Sequence, residues 1–289
     1  MGKIYSLYNK LSGTGNDPAV ITASASGIGA DGDEVVLKEF NEIGTYAELF
    51  AGLNVSDKLL LIGGDGTLNR FVNDTDGIAY PCPIYYMPNG TGNDFFRDIG
   101  GTDESTPVEI TKYLARLPRV TVNGRTCRFI NGVGFGIDGY CCEVGDELKA
   151  KGKPVNYTSI AIKGLLFKFK SRTATVTVEN GDKTVNVYEH TWIAPTMFGR
   201  YYGGGMIAAP AQDRLSENMT VSAVIMHRRS RLGTLMVFPS IFKGEHVKHT
   251  DMVAVLTGKT VTVRFDSPSP LQIDGETVKD VLEYTVTCD

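Results

Sequence analysis

The chain has 289 residues, about twice the usual single-domain length, so two domains are expected. With 42% hydrophobic and 21% charged residues it can bury a sizeable core, which argues against disorder, a collagen-like rod or a membrane channel. Its net charge of -4 gives no electrostatic drive toward phosphate backbones, so nucleic acid is not expected as a partner.

Cys82, Cys127, Cys141, Cys142 and Cys288 form no CxxC pair and are odd in number. They read as reduced thiols in a cytoplasmic protein rather than as a zinc site or a disulfide framework. No run of roughly 18 apolar residues occurs, so a membrane-spanning helix is not expected. The unusual figure is 33 glycines, about 11% of the chain against a usual ~7%.

Up to about residue 115, apolar strand-like runs alternate with helical segments, the pattern of a parallel-sheet α/β unit. Strands are predicted at Ile4 to Tyr8, Glu34 to Leu37, Lys58 to Ile62 and Ile84 to Met87. Helices are predicted at Thr45 to Leu53, Thr67 to Asn73, Thr91 to Arg97 and Val108 to Leu117. The Gly- and Ser-rich stretch from Gly13 to Gly32 shows no clear period and is left unassigned. From Arg119 onward, strand pairs are joined by turn signals, with Asn123-Gly124 and the residues from Asn180 to Asp182 suited to hairpin turns. Further strands are predicted at Met219 to Met226, Met252 to Leu256, Thr260 to Phe265 and Glu283 to Thr287, interrupted by helices at Val155 to Phe169 and Arg231 to Phe242. The expected domains are 1–118, α/β, and 119–289, antiparallel β.

The glycines concentrate at strand ends. Leu59-Leu60-Leu61-Ile62 runs into Gly63-Gly64-Asp65-Gly66, and Thr67 follows at the expected helix start. Glycines there allow backbone to approach a ligand closely, and free N–H groups of a helix start attract anions. An acid in a phosphate cradle repels its ligand unless a cation or a transferring proton mediates, so Asp65 points to Mg2+ chemistry on a phosphate. One strand later, Pro88-Asn89-Gly90-Thr91-Gly92-Asn93-Asp94 repeats the arrangement. Two such loops on adjacent parallel strands share one sheet edge, where open α/β sheets bind ligands. The loop from Asn9 to Gly15 would join them.

The segments GGDGTLN at 63–69 and PNGTGNDF at 88–95 resemble the catalytic domain of the diacylglycerol kinase family, which includes bacterial soluble lipid kinases and sphingosine and ceramide kinases. GGDGT alone is shared with NAD kinases, and GTGNDF is the discriminating element. The likeness continues through Asn131 to Asp138, Gly203-Gly204-Gly205 with Ala209-Pro210, and Gln272-Ile273-Asp274-Gly275-Glu276. It implies a nucleotide-binding α/β domain followed by a β-sandwich domain, with the C-terminal tail returning toward the first.

The resemblance further implies ATP and Mg2+ as cofactors and a lipid alcohol at a membrane surface as acceptor. Asn9, Ser12, Gly13, Thr45, Gly64, Asp65, Gly66, Thr67, Asn69 and Thr91 would line the ATP site. Glu276 is the candidate general base, Asp274 and Asp65 are further catalytic carboxylates, and Asp213 is the candidate for a second, structural Mg2+. Departures from the family pattern are Lys10 in place of a proline, Arg70 in place of an acid, and Asp213 to Met219 in place of the usual Asp-Gly metal segment. An NAD kinase and a catalytically silent nucleotide-binding homologue are the alternative readings.

Apolar segments with basic edges, Leu165 to Lys170 and Met226 to Arg231, are candidates for a transient membrane contact. Exposed strand edges in the second half make a homodimer an expectation.

Overall fold

Leu59, Leu60, Leu61 and Ile62 are all shielded from solvent, as a strand covered on both faces requires. The structure, a computed structural model, describes residues 2–9, 17–228 and 230–288. It divides into units spanning 1–117 and 118–289.

The first unit runs β1 (Lys3–Tyr8), α1 (Pro18–Ser26), β2 (Glu34–Glu39), α2 (Tyr46–Ala51), β3 (Lys58–Gly63), α3 (Asp65–Asp74), β4 (Ile84–Pro88), α4 (Asp94–Asp98), β5 (Val108–Glu109) and α5 (Thr111–Leu114). The sheet order is β2-β1-β3-β4-β5, parallel except for the last pair. The loops after β3 and β4 therefore leave neighbouring strands at the same carboxyl edge.

One unassigned stretch gains a helix here, and two expectations are corrected. The unassigned stretch contains α1, whose start is written by Asp17 accepting from the Ala19 amide and by Pro18 in the first turn. The helix expected at Val108 to Leu117 is instead a two-residue edge strand followed by a four-residue helix. Val108 pairs with Tyr86, and Thr111 Oγ1 accepts from the Ile84 amide, so tertiary pairing overrides helical spacing. The helix expected from Thr91 begins only at Asp94, because Asn93 takes a left-handed conformation (φ 51°).

The second unit opens with the hairpin β6 (Arg119–Val122) and β7 (Arg125–Arg128), turned through Asn123 and Gly124 at φ 49° and 75°. β8 (Gly132–Gly136), α6 (Ile137–Ala150) and α7 (Tyr157–Lys163) follow, and α7 continues as a π turn over Gly164–Lys168. Then come β9 (Arg172–Asn180), β10 (Asp182–Met197), the short β11 (Tyr201–Tyr202) and β12 (Met206–Ile207), β13 (Val221–His227) and α8 (Arg231–Val237). α8 runs on as a 3-10 segment, Phe238–Lys243, before β14 (Val253–Gly258), β15 (Thr260–Ile273) and β16 (Glu276–Thr287).

All pairings in the large sheet are antiparallel, in the order β14-β13-β10-β8-β15-β16-β6-β7, with β9 paired to both β10 and β15. β10 and β15 each change partners along their length, at irregularities between Tyr188 and Thr191 and between Arg264 and Ser269. β9, β10, β8 and β15 thus close a circuit, the device by which bent strands carry one sheet into a second layer. Phe135 stacks on Phe265 at 4.5 Å inside this circuit. The last strand pairs with β6 and β15.

α6 is the longest helix, and periodicity should have found it. Ile137, Cys141, Val144 and Leu148 recur at helical spacing and pack into one cluster with Trp192 and Phe238. Its entry needs glycine twice. Gly136 sits at φ 99°, and a Cβ on Gly139 would lie 1.9 Å from the Pro270 carbonyl oxygen.

Candidate functional site

In the first unit the two glycine loops are locked to each other. The Asn89 amide donates to the Gly63 carbonyl at 2.9 Å, and a Cβ on Gly90 would come within 2.7 Å of Gly64 Cα. Only bare backbone fits on both sides of that contact. Asn93 closes the second loop on itself, accepting from the Gly90 amide and donating to the Gly90 carbonyl, while also donating to Glu104. Arg97 donates to the Gly92 carbonyl and lies 3.6 Å from Asp94.

Asp65 stands in the first loop, and its carboxylate reaches into the second. Its oxygens accept from the Asp94 amide at 2.9 Å and the Phe95 amide at 3.0 Å, the opening turn of α4. The expected cradle acid is therefore first a clamp between the loops, held by the kind of donors that favour a carboxylate. α3 starts at Asp65, two residues before the expected Thr67.

Beside α3 lies a cavity of about 400 Å³ lined by Asn9, Thr45 and Thr67 together with Phe40, Tyr46 and Arg70. The sequence supplied the three polar groups, and the two aromatic walls were missed. That volume and mixture suit a small organic ligand. Thr45 caps α2: its hydroxyl accepts from the Glu48 amide, and Glu48 returns a bond to the Thr45 amide. Burial raises the Tyr46 phenol above its ordinary range, with the nearby Asp74 adding to the effect.

Gly66 has open space where a Cβ would project, so backbone is bare there. The Asn69 carbonyl and side-chain oxygens both accept from Asn73, and Thr91 is exposed on the second loop. Arg70 is partnered by Asp74 at 3.3 Å along α3. Ser12, Gly13 and Lys10 lie outside the described residues.

In the second unit, Asp274 and Gly275 form the turn between β15 and β16, at φ 46° and 91°. The Asp274 carboxylate accepts from three successive amides, Ile130 at 2.6 Å, Asn131 at 2.8 Å and Gly132 at 3.0 Å. The same segment is held by Arg214, which donates to the Ile130 carbonyl at 2.9 Å and to Asn131 Oδ1 at 3.2 Å. The Asp274 carboxylate thus clamps the β15–β16 turn to a segment about 143 residues away. Arg214 lies in a segment with no motif, and only the fold brings it to residues 130 and 131.

Among the described residues no group of three or more His, Cys, Asp and Glu side chains is placed to hold a metal ion. Asp213, the candidate for a structural Mg2+, accepts from the Leu215 amide at 2.9 Å and borders a separate cavity of about 330 Å³.

Glu276 is exposed at the first position of β16. Asp138, in the first turn of α6, is buried, with one oxygen accepting from the Tyr202 hydroxyl at 3.0 Å and the other without a partner. Burial pushes its pKa from 3.8 up to about 7, against the lowering effect of the Tyr202 bond. Cys142, one helical turn on, is pushed up to about 12 by burial and by the acids Asp138, Asp146 and Glu276 around it. Asp138 and Glu276 thus both act on this one thiol, a relation that sequence order does not reveal.

Comparisons with known proteins place the chain in a family. The family model described as "Diacylglycerol kinase catalytic domain" matches residues 3–122, and that described as "YegS C-terminal NAD kinase beta sandwich-like domain" matches residues 131–287. A Bacillus subtilis relative named "Putative lipid kinase YtlR" is 27% identical over 76% of this chain and 74% of its own length. A Mycobacterium tuberculosis relative named "Diacylglycerol kinase" is 25% identical over 91% and 85%. The fold is shared with a Bacillus anthracis crystal structure titled as a "putative diacylglycerol kinase", at a TM-score of 0.69 and 14% identity, covering 99% of this chain and 93% of that one. The chain belongs to the diacylglycerol kinase-like lipid kinase family and is a kinase.

Proposed function

We propose that this kinase transfers the γ-phosphate of ATP to the hydroxyl of diacylglycerol or a related lipid alcohol. The observation that carries the reading is the pair of glycine loops held backbone against backbone at Gly64 and Gly90, next to a cavity lined by Asn9, Thr45 and Thr67. Phosphoryl transfer depends chiefly on positioning and on stabilising charge, and a rigid loop with bare backbone at Gly66 supplies both.

Mg2+ neutralises triphosphate charge when bound, and a kinase site needs only one or two carboxylates for it besides phosphate and water. Asp65, the carboxylate set between the two glycine loops, would meet that need. On the acceptor side Glu276 takes the hydroxyl proton, and the buried Asp138, its pKa raised to about 7, is partly protonated near neutral pH.

The test is transfer of label from γ-labelled ATP to diacylglycerol, phosphatidylglycerol, sphingosine, ceramide and undecaprenol in mixed micelles, with NAD as the competing acceptor. Labelled diacylglycerol or another lipid supports the reading, and labelling of NAD alone overturns it. Glu276→Gln is expected to lower kcat by about 100-fold or more. Unchanged turnover in that variant removes Glu276 as the base.

A further inference from the structure

Of the 13 large apolar side chains exposed among the described residues, seven fall on two short stretches of the second unit, residues 157–167 and 232–242. Phe167, Leu232 and Met236 are 74%, 68% and 75% exposed, and Ile162, Leu166 and Phe242 stand beside them in sequence at 43%, 40% and 43%. The stretches are joined in space. Arg231 donates to the Leu165 carbonyl at 2.9 Å and lies over the Trp192 ring at 5.1 Å, and Trp192 Nε1 donates to the Arg228 carbonyl at 2.7 Å. Beneath them Ile160, Leu165, Val237 and Phe238 enter one core cluster. The outward display is built in: α7 widens into the π turn, which buries Leu165 and exposes Leu166 and Phe167. Gly164 lets that turn sit on α6, where a Cβ would lie 2.7 Å from Tyr140 Cε1.

The charge pattern selects the occupant. In a chain of net charge -4, residues 152–178 and 226–244 hold nine Lys and Arg and no Asp or Glu. Lys163, Lys168, Lys170 and Lys243 are exposed on these two stretches. Among the described residues no helix is long and apolar enough to cross a membrane.

We propose that α7 with its π turn and α8 with its 3-10 extension form a single docking face for an anionic lipid surface, Phe167 and Met236 entering the acyl boundary and the lysines meeting the headgroups. The choice of a lipid surface as partner rests on the lipid-kinase reading, whereas the face itself rests on exposure and charge. Apolar insertion and basic attraction together are what reversible surface binding requires.

The experiment is sedimentation of the full chain with vesicles of phosphatidylcholine alone and of phosphatidylcholine with about one third phosphatidylglycerol. The expected result is binding to the anionic vesicles, weakened about tenfold or more in the double variant Phe167→Ser, Met236→Ser and in Lys168→Glu, Lys170→Glu, with unfolding midpoints unchanged. Absence of wild-type binding, or equal binding by the double variant, overturns the proposal. So does a light-scattering result in which wild type is a dimer and the double variant a monomer, since a second copy then covers the face. Transfer to a short-chain, monomeric diacylglycerol separates the two readings. A protein that labels it without binding vesicles keeps the kinase reading and loses the face, and one that binds vesicles without labelling any acceptor does the reverse.

Discussion

Replacing Asp274 tests whether its carboxylate acts as a clamp. Asp274→Ala removes the acceptor of three amides at 2.6, 2.8 and 3.0 Å, and residues 130–132 are all buried. A buried donor left without its acceptor costs about 1–3 kcal/mol. Alanine at a left-handed φ adds about 1 kcal/mol, which Asp and Asn largely avoid. Some relaxation is expected because Arg214 still holds the segment, so the sum is about 5 kcal/mol for Asp274→Ala. Asp274→Asn keeps one acceptor oxygen and the turn geometry, at about 2 kcal/mol. For a unit of this size each kcal/mol moves Tm by roughly 2–4 °C, so the alanine variant should melt about 10–20 °C lower. Urea unfolding read by tryptophan fluorescence suits the test, since Trp192 is the single tryptophan and lies buried in the same unit. A loss below about 1 kcal/mol in Asp274→Ala would refute the clamp. So would a chelator destabilising wild type as much as the substitution does, because that assigns the carboxylate to a metal.

Asp138 gives a pH prediction. Its folded pKa of about 7 lies above the unfolded 3.8, so the folded state holds the proton longer and stability is lost as pH rises from about 4 to about 7. The shift corresponds to at most about 4 kcal/mol, and Asp138→Asn should remove that decline from urea midpoints measured at several pH values; an unchanged decline assigns it to other groups. The two loop glycines should separate folding from binding. Gly90→Ala drives a methyl into the Gly64 backbone and should cost about 1–3 kcal/mol, whereas Gly66→Ala meets nothing within 4 Å and should fold as well as wild type while binding ATP more weakly by calorimetry. Equal ATP affinity for Gly66→Ala and wild type would place the phosphates elsewhere.

What was legible in the sequence follows from how local each determinant is. β3, β4 and their loops were readable because apolar runs and glycines are contiguous, and the hairpin at Asn123-Gly124 because its turn needs positive φ at both positions. α1 was hidden because its signal is a cap, Asp17-Pro18, with little periodicity behind it. α6 was hidden for the opposite reason, since its regular apolar spacing follows a glycine run that reads as a loop. The segment at Val108 escaped because its structure is decided by Tyr85 and Tyr86 across the sheet. Site residues divided similarly. Polar groups within motifs were found, while Phe40, Tyr46 and Arg214 come from segments with no motif and join their sites only through the fold.

The two acid-glycine pairs read from the sequence, Asp65-Gly66 and Asp274-Gly275, turn out to use one physical device. In each, the carboxylate captures a row of backbone amides from a segment distant in sequence, two amides about 30 residues away for Asp65 and three about 143 residues away for Asp274. In both places the captured segment belongs to a family motif, and the acid belongs to another. Motifs that look like separate ligand contacts are therefore halves of two clamps. This explains how an acid can sit inside an expected phosphate cradle: amide donors offset its charge before any ligand arrives. It also gives the loops their rigidity in advance, which is what electrostatic stabilisation of a transferring phosphoryl group demands, since donors that must first reorganise contribute far less. The consequence is that loss of activity on replacing either acid does not by itself assign it to chemistry. The assignment requires the asparagine variants, which retain part of each clamp while removing the charge a cation would need.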